Sequence, residues 1–300
     1  MFSRVTSSTM TQSSLRNLQN NLSELARLQE QATSQKAFAV PSENPSAAAT
    51  TLGLHAEQRR NEQYARNLND GLAWVATIDS AISASTSLMN RVRSLTVQGA
   101  NDGALDATAK EAIAVELEGI RDELLAQANT SLLGRNVFAG TSNAGHAFTV
   151  DAAAPGQYVF TGIPGSEVTR RVADNATVRV DADGAAVFGT GADSAFALID
   201  QIVDDLRSGV NVGPRLEQID ERITAMLGTQ AAVGARQSQI ERAKELTMDA
   251  SVSLESRRAS VEDVDSMEVL VELKAQELVY QSALAVTSRV LQPTLMDFLR

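Results

Sequence analysis

LNDGLAWVATIDSAISASTSLMNRV, residues 68–92, places Leu68, Val75, Ile78, Ile82, Met89 and Val92 on one heptad frame, with Gly71 and Ser85 in its two remaining core slots. No proline interrupts the chain between Pro45 and about Gln98, so the spacing predicts one continuous helix of about fifty residues. At about 1.5 Å per residue that is a rod of roughly 80 Å, well beyond an ordinary globular helix. GANDG (99–103) turns the chain. A second helix, from about Asp106 to Ser131, carries Ile113, Leu117, Ile120, Leu124 and Leu125 and folds back on the first.

Working outward, the pattern has a mirror symmetry. Toward the N-terminus, Leu15, Leu18, Leu22, Leu25 and Leu28 mark one narrow helical stripe. FAVPSENPSAAATTL (38–52) then breaks it, because Pro41 and Pro45 force extended conformations on the residues before them. Asn44 is suited to cap the restarting helix and Pro45 to open it. Toward the C-terminus, residues 147–191 alternate in short runs (AFTV, QYVF, TVRVDAD) bounded by Gly, Pro, Asp and Asn, the signature of a small β region that includes Pro155 and Pro164. Helical pattern resumes near Asp193, pauses at SGVNVGP and runs from about Pro214 to Arg258. A last helix is expected from Ser260, with Ser260 and Asp263 as a capping box, to about Leu291.

That last helix has two apolar lines, Val264, Met267, Val271 and Leu278 on one and Leu270, Leu273, Tyr280, Leu284 and Leu291 on the other, about 140° apart. Residues 1–40 carry a charge of +2 and residues 260–300 a charge of -4, which favours antiparallel pairing of the two terminal helices. One apolar seam is then left over, to be covered by the body of the chain or by a neighbouring subunit.

Composition excludes several classes of function. A net charge of -11 offers no basic stripe for nucleic acid, zero cysteines exclude disulfides and thiolate metal sites, and aromatic residues make up 4%. Neither a secretory signal nor an 18-residue apolar span occurs, so no cleaved leader and no membrane insertion are expected. VDADG (180–184) begins like a calcium loop but has Ala192 where the bidentate Glu belongs, and reads as a turn between strands. GTGADS (189–194) lacks the Lys of a phosphate loop and reads as a loop returning to helix. Ser142 lies near His146, but nothing else outlines a triad, and His55 reads as a surface or packing residue. Neither catalysis, nor a cofactor, nor a metal is expected.

The segments SRVTSSTMTQSSLRNLQ (3–19), AVPSENPSAAATTL (39–52), RNLNDGLAWVATIDSAI (66–82), NRVRSLTVQGAND (90–102), NTSLLGRNVFAGT (129–141), SVEDVDSMEVLVEL (260–273) and LAVTSRVLQPTLMDFL (284–299) resemble the flagellin family, and within it the branch at the junction of hook and filament. The resemblance spans about two-thirds of the chain. It implies a mainly α, flagellin-like fold: a terminal coiled coil (1–40 with 260–300), a helical rod with extended joints (41–140 with 193–259) and a small β-rich outer domain (141–192). It implies a structural subunit exported unfolded and uncleaved through the flagellar type III route, with a cytoplasmic chaperone on the C-terminal coil. The expected place is a ring of copies of this chain between the first junction protein and flagellin, the alternative being a short flagellin. The assembly interface is then expected at Leu15, Leu18, Leu22, Leu25, Leu270, Leu273, Tyr280, Leu284 and Leu291, and the domain joint at Pro41, Asn44 and Pro45. The resemblance also places residues 90–102 where flagellins present a helix to an innate-immunity receptor.

Overall fold

The computed structural model describes residues 7–101, 106–151, 157–163 and 165–291, without the side chains of residues 7, 8, 10, 11, 290 and 291. Residues 102 and 103 of the expected turn, Pro155, Pro164, and the family-like residues 3–6 and 292–299 lie outside the described residues. Described are α1 (Ser7–Ser34), α2 (Pro45–Gly99), α3 (Ala107–Ala128), β1 (Ser131–Leu132), β2 (Arg135–Asn136), β3 (Phe148–Val150), β4 (Tyr158–Phe160), β5 (Thr169–Ala173), β6 (Ala176–Arg179), α4 (Gly184–Phe188), α5 (Ala195–Ser208), α6 (Arg215–Glu262) and α7 (Ser266–Leu291). The fold is mainly helical with small antiparallel β ribbons. It packs as two units, Asn61–Asp249 and Met1–Arg60 with Ala250–Arg300.

In the first unit every slot of the α2 frame is buried, from Leu68 through Val92. The two small residues of that frame have different reasons. A Cβ at Gly71 would lie 3.2 Å from Val180 Cγ1 and 3.4 Å from Ile240 Cδ1, so the missing side chain lets α6 and the end of β6 close on α2. Ser85 is fully buried and its hydroxyl donates to the Ala81 carbonyl at 2.7 Å, which satisfies the polar group within its own helix. Opposite, α6 buries Ile219, Met226, Val233 and Ile240 at exact heptad intervals. Asp106 caps α3 by accepting from Ala109 N–H at 2.7 Å, and Ile113, Leu117, Ile120 and Leu124 are buried where α3 packs on α5.

The β region consists of three two-stranded antiparallel ribbons: β1 with β2, β3 with β4 and β5 with β6. A two-stranded ribbon cannot stabilise itself, and here large rings supply the burial. Five of the chain's eight phenylalanines (Phe138, Phe148, Phe160, Phe188 and Phe196) meet Tyr158 in one cluster, with neighbouring ring centroids 5.1–5.8 Å apart. Beside it the Tyr158 hydroxyl donates to Asp200 at 2.8 Å and Arg121 donates to the same carboxylate at 2.6 Å.

Several boundaries differ from expectation. Helix α3 ends at Ala128, not Ser131, because residues 131–136 form the β1–β2 hairpin, whose turn places Leu133 at φ +50° and Gly134 at φ +78°. VDADG is not a turn between strands. Asp181 is buried, accepting from Val168 N–H and Arg179 Nε at 2.9 Å each, while Asp183 caps the short helix α4. The Ser260–Asp263 capping box does not form either. Helix α6 continues through to Glu262, Ser260 donates back to the Arg257 carbonyl, and Asp265 caps α7 by accepting from Met267 N–H at 2.8 Å.

Candidate assembly interface

In the second unit α1 and α7 pair antiparallel, with Asn21 opposite Gln276, whose side-chain amide donates to the Asn21 carbonyl at 3.3 Å. Leu28 and Val269 are the most buried apolar residues of the pair. The covered line of α7 is Val269, Leu273, Gln276, Tyr280, Ala283 and Thr287, alternating steps of four and three as a coiled-coil seam requires. On α1 the covered line is Ser14, Asn21 and Leu28, with Leu18 and Leu25 on its shoulder.

The leucine stripe of α1 is therefore not centred on its partner. Leu18 and Leu25 are half-buried, whereas Leu15 and Leu22 are 47% and 48% exposed. The structure likewise divides the α7 residues: Leu273 and Tyr280 sit in the seam with α1, while Leu270 and Leu284 are 48% and 42% exposed on its flank. The side chain of Leu291 lies outside the described residues. At about 100° per residue, the antiparallel arrangement turns the flank bearing Leu15 and Leu22 to the same side of the pair as Leu270 and Leu284. A second apolar line, Met267, Val271 and Leu278, is exposed on α7 about 180° from the seam. Two faces of one helix pair thus carry large apolar side chains that nothing among the described residues of the unit covers.

Backbone chemistry at both connections holds the pair to the ends of α2 and α6. Gln35, at φ +58°, ends α1, and residues 41–43 form a turn closed by Glu43 N–H on the Val40 carbonyl at 3.1 Å. Pro41 lies in that turn, Asn44 accepts from Ala47 N–H at 3.1 Å as an N-cap, and Pro45 is the first residue of α2. The returning connection runs beside the outgoing one: Val264 N–H donates to the Gln35 carbonyl and Ala37 N–H to the Glu262 carbonyl, at 3.2 and 2.7 Å. Glu262 itself is buried, with its carboxylate 2.7 Å from Lys36 Nζ and 3.2 Å from both His55 Nε2 and an Arg258 guanidinium nitrogen. Sequence reasoning missed this cluster and took His55 for a plain surface or packing residue. Its members come from three separate stretches, and no periodicity connects them.

Elsewhere the sequence candidates have structural employment. Ser142 donates to the Thr161 carbonyl at 2.9 Å, and His146 accepts from the Thr161 hydroxyl through its backbone carbonyl. Within residues 90–102, Arg91 and Arg93 are paired with Glu116 and Asp220 and Leu95 is buried. No group of three or more His, Asp or Glu among the described residues is placed to hold a metal ion.

The family model for the bacterial flagellin N-terminal helical region matches residues 5–143, and that for the bacterial flagellin C-terminal helical region matches residues 216–299. The chain belongs to the flagellin family. Among the relatives of this flagellin-family chain, flagellar hook-associated protein 3 of Salmonella typhimurium is 25% identical over 93% of this chain and 94% of its own length. Flagellin of Bacillus subtilis is 24% identical over 80% of each. A solved structure of a flagellar hook-associated protein from Vibrio parahaemolyticus shares the fold, with a TM-score of 0.68 at 19% identity, covering 74% of this chain and all of that one. As a member of that family the chain is a structural flagellar protein.

Proposed function

We propose that the chain is the hook–filament junction adaptor: copies of it assemble into a ring on the first hook-associated junction protein and offer the surface on which flagellin polymerises. The observation that carries this reading is the end-to-end likeness to hook-associated protein 3, whereas the flagellin match covers about four-fifths of each chain. The uncovered flank of the terminal pair supports it, since Leu15, Leu22, Leu270 and Leu284 gain burial when a second copy packs there. Residues 1–40 with 260–300 act as the assembling coil, 41–140 with 193–259 as the rod, and 141–192 as an outer domain. Pro41, Asn44 and Pro45 serve as the outgoing joint. The chain travels unfolded through the flagellar type III export apparatus to the outside of the cell, its C-terminal coil held beforehand by a cytoplasmic chaperone.

The similarity to a flagellin gives the second reading, a short filament protein. In-frame deletion, electron microscopy and an assay for shed flagellin separate the two. Bare hooks with flagellin in the medium are expected for the adaptor; bare hooks with none outside point to the filament protein. Normal filaments contradict both.

A further inference from the structure

Glu262 is one of two acidic residues buried among the described residues, the other being Asp181. A carboxylate out of water is costly unless paired, and here three cationic or hydrogen-bonding groups from three segments converge on it. Lys36 comes from the connection after α1, His55 from α2 and Arg258 from the preceding turn of α6. Arg258 also reaches Asp263 at 3.0 Å and Glu255 at 2.8 Å, and Gln58 of α2 donates to Glu255 at 2.9 Å. The backbone of the same residue takes part, since the Glu262 carbonyl accepts from Ala37 N–H.

We propose that Glu262 is an acid-sensitive latch: its carboxylate fastens the outgoing connection (35–44) to the end of α6 and the start of α2, and so fixes the direction in which the α1/α7 pair leaves them. The bearing on assembly rests on the adaptor reading above, because a ring whose subunits meet through the terminal pair requires that direction to be the same in every copy. The latch itself does not depend on that reading.

Its chemistry sets the pH response. Hydrogen bonding from Lys36, then from Arg258, holds the Glu262 carboxyl below the ordinary carboxylate value of 4.5 against the opposing effect of burial. A depressed folded value stabilises the latch above the unfolded value, and that contribution is lost as pH falls through the folded one. The titratable groups facing Glu262 are Lys36, His55 and Arg258, with Glu255 and Asp263 on the far side of Arg258.

The test is hydrogen exchange on the full-length chain, comparing wild type with Glu262→Gln and Lys36→Met. Both variants are expected to speed exchange at the Ala37 and Val264 amides at least tenfold at pH 7, leaving residues 61–249 unchanged. As pH falls through the folded value of Glu262, the protection of these amides in wild type, relative to the unfolded chain at the same pH, is expected to drop to that of Glu262→Gln, which shows no such acid opening. Unchanged exchange in both variants, or the same acid opening in Glu262→Gln as in wild type, overturns the latch. Expression of Glu262→Gln in the deletion strain then reads the assembly consequence separately: an opened latch with normal filaments refutes the role in assembly and leaves the latch standing.

Discussion

Leu133 takes the first position of the β1–β2 turn at φ +50°, with Gly134 following at φ +78° and 87% of the leucine exposed. A two-residue turn of this hand suits Asn, Asp or Gly, and a leucine there is strained without compensating burial. Leu133→Asn is expected to raise the stability of the unit containing it by about 1 kcal/mol, measured by denaturant unfolding; an unchanged or lowered midpoint contradicts the strain assignment. The same conflict explains why the hairpin is not legible in sequence, where SLLGRN puts a leucine at the first turn position and the preceding helix reads on to Ser131. Gly71 and Ser85 were legible as slots of the heptad frame. Their neighbours were not, since Val180 reaches Gly71 from the β region, more than a hundred residues away in the chain.

At the element scale, α1 and α7 show how much a periodicity says. Both helices and the two apolar lines of α7 follow from the sequence, but α1 turns Leu15 and Leu22 away from its partner and buries Asn21 and Ser14 more than they are. The polar contact of Gln276 with the Asn21 backbone belongs to that register and carries no hydrophobic signal. Leu284→Asp is expected to leave the isolated chain folded, by circular dichroism, because the side chain is 42% exposed there, and to abolish incorporation into filaments. Retained incorporation removes this residue from the interface. The start of α7 supplies a second prediction: Asp265→Ala removes the observed cap and costs about 1 kcal/mol of local stability, whereas Ser260→Ala leaves α7 unaffected. Exchange rates at the Met267 and Glu268 amides distinguish the two variants. Ser260 looked like a cap because a Ser with an acid three residues on is the usual signature; the unbroken hydrogen bonding of α6 overrides it.

Across the whole molecule the long helices were the most legible feature, because heptad spacing repeats over many turns in α2 and α6. The β region was the least legible, being short ribbons gathered on a phenylalanine cluster whose members lie far apart in sequence. The flank of the α1/α7 pair is exposed in the single chain, and the adaptor reading has another subunit cover it in the flagellum. With zero cysteines in the natural chain, a single Leu22→Cys or Leu284→Cys gives an unambiguous thiol reporter. Maleimide labelling of each variant, first as purified monomer and then in isolated hook–filament junctions, measures that cover directly. The account predicts rapid labelling of both in the monomer and protection of at least tenfold in the junctions; equal labelling in the two states contradicts it.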